Sequence, residues 1–220
     1  LSDKILVTLS DNDSKQTSRL NKISAAGNIV TLKLTKTAVN TPSNVLQKSV
    51  FFASKIDYLA NSGNVIAPGP SRLLIWPEPG TQNKDYQPLI ITAQDQTRYL
   101  SDKNRVIFQG DCLCKYYSPD QPDQPKFNLS APKIIAQLKP GNNNRSRIRS
   151  IDTQGQTDLT LYLEDPVNTT ATPVKITAKK SAQFVPDQNK ITFNGSCLCT
   201  MTKPGSPLSK EYSLSDRKSV

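Results

Sequence analysis

The chain has no histidine. It therefore lacks the side chain that most often serves as general base and metal ligand near neutral pH. Its 18 Asp and Glu residues form no recognisable acid/base pair in sequence, and no Ser-Lys motif stands out. No catalytic residue is assigned, and no enzyme is expected. Aromatic residues make up 6% of the chain and include a single Trp. That scarcity removes the stacking platforms with which proteins hold single-stranded nucleic acid. No window offers the run of about eighteen apolar residues that a membrane-crossing helix needs. Apolar content is 35% and mean hydropathy is −0.49, which permits a thin core better than a thick one.

The formal charge is +10 and the pI about 9.5. This balance favours anionic partners such as nucleic acid, anionic lipid or phosphorylated glycan. The 28 Lys and Arg residues are scattered along the chain. Without a basic run or aromatic platforms, nucleic acid is not expected as a partner.

Sixteen prolines argue against long helices. Short apolar or alternating runs recur instead, among them 4–9, 29–34, 72–76, 105–108, 159–163 and 190–193. Asn, Asp, Gly, Pro and Ser clusters separate them, the pattern of an all-β chain.

The chain also repeats itself. PLIITAQDQTRYLSDKNRVIFQGDCLCKYY (88–117) matches PVKITAKKSAQFVPDQNKITFNGSCLCTMT (173–202) without a gap, at an offset of 85 residues. A run rising to a glycine recurs more widely, at 21–30, 64–73, 105–114, 148–159 and 190–199. One 1–220 domain of stacked units is expected, with approximate units 1–37, 48–76, 87–117, 126–163 and 173–202 and a partial unit 211–220. Both ends are expected to be open sheet edges.

Period two assigns the faces. Val106, Phe108, Cys112 and Cys114 share one side, as do Ile191, Phe193, Cys197 and Cys199 in the second copy, and Thr157, Leu159, Leu161 and Leu163 in the unit between. In the first unit Val30, Leu32 and Leu34 fall on the parity opposite Gly27, so a bulge or a different register is needed there. The cysteines form two C-x-C pairs. Alternate residues on a strand lie about 6.5–7 Å apart, and structural zinc prefers C-x2-C turns, so no metal or other cofactor is expected. That spacing also suits a disulfide poorly. The residues are read as small, soft, buried side chains.

Pro-x-x-Ile-Thr-Ala followed by Ile-Thr-Phe-x-Gly (173–195), with Ala-Gly-Asn-Ile-Val (26–30), Ser-Ala-Pro-Lys-Ile (130–134) and Leu-Ser-Asp-Lys-Ile (1–5), resembles the OstA/LptA-like repeat of bacterial lipopolysaccharide transport. The resemblance implies an elongated antiparallel β-jellyroll, the "β-taco", with two sheets facing each other across an apolar groove. It implies a periplasmic protein that shields lipopolysaccharide or a similar anionic lipid between the inner and outer membranes. Partners would be other Lpt-type jellyroll proteins, or further copies head to tail, joined through sheet edges. The departures are Cys-Leu-Cys where the family often has Gly-Asn-Val-x-Val, long Pro-rich connectors, and an extra unit around 50–74.

On that reading Val106, Phe108, Cys112, Cys114, Leu159, Leu161, Ile191, Phe193, Cys197 and Cys199 line the groove, and Arg145, Arg147 and Arg149 form a head-group rim. The same residues fit a filled sandwich core and a solvated outer face. Two other functions stay open. One is a lipid-free repeat protein of the envelope that assembles end to end. The other is a glycan-binding β-repeat protein, for which Trp76 is the lone tryptophan.

Overall fold

The computed structural model describes residues 3–10, 19–38, 41–76, 88–118, 121–138, 148–163, 172–185, 188, 190–202 and 209–214. Among them there is no α-helix, and every strand pair is antiparallel. The all-β expectation therefore holds.

Four strands are long: β2 (Arg19–Ala38), β3 (Thr41–Leu59), β8 (Arg105–Ser118) and β9 (Gln121–Leu138). Most others come in consecutive couples. These are β4 (Asn64–Pro68) with β5 (Ser71–Ile75), β6 (Leu89–Ala93) with β7 (Gln96–Leu100), and β10 (Ile148–Gln154) with β11 (Thr157–Leu163). They continue with β12 (Thr172–Ala178) and β13 (Ser181–Val185), then β14 (Lys190–Asn194) and β15 (Cys197–Thr202). β1 (Lys4–Ser10) and β16 (Ser209–Leu214) stand at the two ends.

Each couple behaves as one strand with a corner in it. The second half of β3 pairs with β4 and its first half with β5. The first half of β8 pairs with β7 and its second half with β6. β9 splits likewise between β10 and β11. Two hydrogen-bonded ladders result, joined along a line of corners. The first runs β1, β2, β3, β4, β7, β8, β9, β10, β13, β14, and the second runs β2, β3, β5, β6, β8, β9, β11, β12, β15, β16. In both, each bent strand lies beside its neighbours in sequence. The topology is a meander, which short connections favour.

The glycines of the repeat mark the corners. Gln109 pairs with Lys133 and Cys112 with Ala131, so Gly110 and Asp111 together oppose Pro132. Two residues against one is a bulge, and it bends the strand. Gly110 (φ 82°) and Asp111 (φ 38°) both take left-handed backbone. A Cβ at Gly110 would also overlap the Asp95 carboxylate of the adjacent corner. At Gly155 the neighbour is Pro132 and at Gly195 it is Lys180, so glycine and bulkier residues alternate along the line. In the first unit, where a bulge or a different register was expected, the β2–β3 register shifts between Ala26 and Val30.

Side chains flanking the corners on the inner side are mostly small and buried: Ala67, Ala93, Ala131, Ala178 and Ala182, with Ser71, Thr97, Thr153 and Thr157. The two ladders converge there and leave no room for more. Their hydroxyls pair across the corner, Ser71 Oγ with Thr97 Oγ1 and Thr153 Oγ1 with Thr157 Oγ1, each at 2.6 Å. These pairs remove the cost of burying the groups unsatisfied. Cys112 occupies the same kind of position, at 1% exposure. The small thiol therefore has a packing reason.

Larger apolar residues fill the space between the ladders. One cluster draws Ile91, Cys114, Leu129 and Leu159 from the second ladder and Phe108, Ile134 and Ile151 from the first. A smaller cluster, Val30, Phe51, Ala53, Ile56 and Ala67, lies toward the N-terminal end and meets the larger one at Leu73. The ladders thus share one apolar interior.

Candidate functional site

The interior is closed in the middle of the stack. Phe108, Ile134, Ile91 and Cys114 are each 0% exposed. Phe108 and Ile134 are direct cross-strand partners, as are Ile91 and Cys114. Further along, the packing opens into a cavity of about 60 Å³. Phe127, Leu129 and Leu159 of the second ladder line one wall. Ile151, Thr153, Ala182, Phe184 and Ile191 of the first ladder line the other.

The strand pairings explain this wall. Ile151 opposes Phe184, which opposes Ile191. Leu129 opposes Leu159. The floor toward the corner is the Thr153–Thr157 pair. Thr153 Oγ1 also accepts from the Ala182 amide at 2.6 Å, so the one polar group in the lining is already engaged. The remaining lining residues are apolar, which suits hydrocarbon.

The residues expected on the inner face lie there, except that Leu163 at the end of β11 is 50% exposed. Phe108, Cys112, Cys114 and Leu159 belong to the buried cluster, with Val106, Leu161 and Phe193 packed against it. Leu159 and Ile191 reach the cavity. Cys197 and Cys199 oppose Ala178 and Ile176 on the inner side of the second ladder and are half-buried. None of the four cysteines is in a disulfide. Three strands, β9, β11 and β12, separate the two C-x-C pairs. Burial pushes the Cys112 thiol up to about 11 and the Cys114 thiol up to about 12. Both therefore stay protonated and unreactive near neutral pH. Arg149 is exposed at the start of β10, where the register to β9 shifts between Ile148 and Ser150. Arg145 and Arg147 lie outside the described residues.

Sequence reading did not find Phe127, Leu129, Ile151, Thr153, Ala182 or Phe184. A signal existed for the last four. The four-residue step across a corner that links Phe108 to Cys112 also links Thr153 to Thr157 and Ala178 to Ala182. β9 carried no such signal. Its inner residues are Leu129 and Ala131 before the corner but Ile134 and Ala136 after it, a change of parity.

On the outer face, Asp57 is bracketed by Lys22 at 3.0 Å and Lys55 at 3.6 Å, and Ser24 Oγ donates to it. Desolvation raises its pKa, but these partners outweigh that and leave it lowered.

No protein-family model matches the chain, and no curated protein matches it.

Proposed function

We propose that this chain is a non-enzymatic periplasmic carrier that holds the hydrocarbon of lipopolysaccharide or a similar anionic lipid between two β-layers, and so helps bridge the inner and outer membranes. The arrangement would be the β-jellyroll, or taco, of the OstA/LptA-like repeat. The observation that supports it best is the cavity, which lies between the two ladders and is lined almost wholly by apolar side chains. Among the described residues, strand pairing joins the ladders along the corner line and nowhere else. The far lips are therefore free to part. Burying hydrocarbon contributes about 0.8 kcal/mol per CH₂, so tails need no polar anchor. The net charge of +10 favours an anionic head. Energy for directional transfer would come from a separate motor.

The test places a photo-crosslinking residue at position 191, with a control at Arg98, whose neighbours Ile66 and Ile107 lie on the outer face. Lipid adducts at 191 and none at 98 are expected in envelope extracts. Equal labelling at both positions, or none at either, would overturn the reading.

A second reading, end-to-end assembly without lipid, is favoured by one observation. In the edge strand β1, Ile5, Leu6 and Val7 are 66%, 54% and 52% exposed. An open apolar edge is a template for pairing. Concentration-dependent oligomers that lose lipid without dissociating would select it.

A further inference from the structure

We infer that the cavity at the C-terminal end is a dead-end site for one alkyl chain carrying an anionic head, not a stretch of through-channel; this rests on the lipid-carrier reading above.

Size limits the ligand to one chain. A cavity of about 60 Å³ is well below the roughly 150 Å³ that admits a benzene ring. It accepts the slim end of a single extended chain and excludes two side by side.

The neighbours of the lining residues supply the dead end. In the first ladder, Thr153 opposes Ile134, which opposes Phe108. In the second, Leu129 opposes Cys114, which opposes Ile91. Those four neighbours are 0% exposed, so both walls close toward the N-terminal side. Toward the C-terminal side the neighbours are Ile191 at 36% exposure and the half-buried Phe193, Ile176 and Cys199. Among the described residues β14, which carries Ile191 and Phe193, pairs with β13 alone. A chain therefore slides in from this end, beneath β14.

Charge places the head. Thr153 is already hydrogen-bonded, so the cavity offers no open donor or acceptor to a polar group. Three exposed cations lie close to the lining in sequence, Lys126 beside Phe127, Lys190 beside Ile191 and Arg149 two residues before Ile151. Strand alternation turns Lys126 and Lys190 to the outer face, where they add to the positive field around this end. That field favours a carboxylate or phosphate head left in water outside the mouth while its tail lies within.

The probe is cis-parinaric acid, a single-chain anion that fluoresces when shielded from water, titrated into the intact chain. One molecule per chain is expected. Ile191→Trp narrows the mouth on an exposed edge strand and should weaken binding about ten-fold, the equivalent of two lost methylene contacts. Ile191→Val should stay close to the parent, and far-UV circular dichroism checks that both variants fold. A Lys126→Glu/Lys190→Glu double variant should weaken the acid but not the uncharged alcohol of the same length. Two or more probe molecules per chain, or indifference to Ile191→Trp, overturns the inference. If lipopolysaccharide binds and parinarate does not, the single-chain site fails while the carrier reading stands. If neither binds, both fail.

Discussion

The two copies of the 85-residue repeat share a local sequence and differ in burial. Phe108 in β8 is 0% exposed, and its counterpart Phe193 in β14 is half-buried. Cys112 and Cys114 are 1% and 0% exposed, while Cys197 and Cys199 are half-buried. Ile107 is 8% exposed, and Thr192 at the same place is open to solvent. For Phe193 and Thr192 the cause is flanking strands; Cys197 and Cys199 lie in β15, which has β12 on one side and β16 on the other, so the count of flanking strands does not set their exposure. β8 has partners on both sides in both ladders, β7 and β6 on one side and β9 on the other. β14 has a partner on one side only among the described residues. The same residues thus build a sealed core in one place and the mouth of a cavity in another.

The sharpest way to break this comparison is to place a charge at the paired phenylalanines. Phe108→Asp should cost more than about 4 kcal/mol, because it buries an unpaired carboxylate. It should leave little folded protein in a thermal melt. Phe193→Asp should cost about 1–2 kcal/mol, since its carboxylate can reach water. Equal losses would mean that the two sites are buried alike.

The corners offer a milder test. Gly110→Ala combines a left-handed backbone with overlap on Asp95 and should cost about 2–3 kcal/mol in urea unfolding. Gly195→Ala (φ 92°) meets Lys180 Cγ at 2.9 Å and its backbone N at 3.1 Å, a looser approach than at Gly110, and should cost about 1–2 kcal/mol. Pairing Gly110→Ala with Asp95→Gly should recover the excess if overlap is its source.

The thiols sharpen the contrast without changing the fold. In native protein a thiol reagent should label Cys197 and Cys199 quickly, and Cys112 and Cys114 at the rate of unfolding. In the unfolded chain all thiols ionise from near pH 9, while folded Cys112 and Cys114 keep their protons to about 11 and 12. Stability is therefore full below pH 9 and falls as pH rises through that window. A Cys112→Ala/Cys114→Ala variant should flatten the alkaline limb of the stability profile.

The smallest effect is expected at Asp57, away from the interior. Its lowered pKa means a contribution present above pH 3.8 and lost as pH falls through the folded value. Asp57→Asn should remove that acid limb and shift the neutral-pH melting temperature little, as partly exposed ion pairs contribute about 1 kcal/mol or less.

Much of the fold was legible because β-structure writes itself in period two. The inner faces of β8, β11 and β15 follow from Phe108, Leu159 and Cys199 and their alternate neighbours. The glycines stood out as a repeat, though their role as corners did not. A glycine that turns a strand between ladders and one that ends a hairpin look alike in a linear reading. The cavity was half legible. Leu159 and Ile191 were on the inner-face assignment; Phe127 and Leu129 were not, because the strand that crosses the corner at Pro132 changes parity, and Phe184 was reachable only through the four-residue step across its corner.

Alternation, turn residues and repeat spacing determined by themselves that the chain is all-β and which side of most strands turns inward. These properties depend on a residue and its near neighbours, so they are local. Tertiary structure alone decided where the interior is sealed and where it opens. Burial depends on how many strands flank a residue and on which residues face it from the other ladder. Two stretches as alike as Phe108–Cys114 and Phe193–Cys199 cannot report that difference from within.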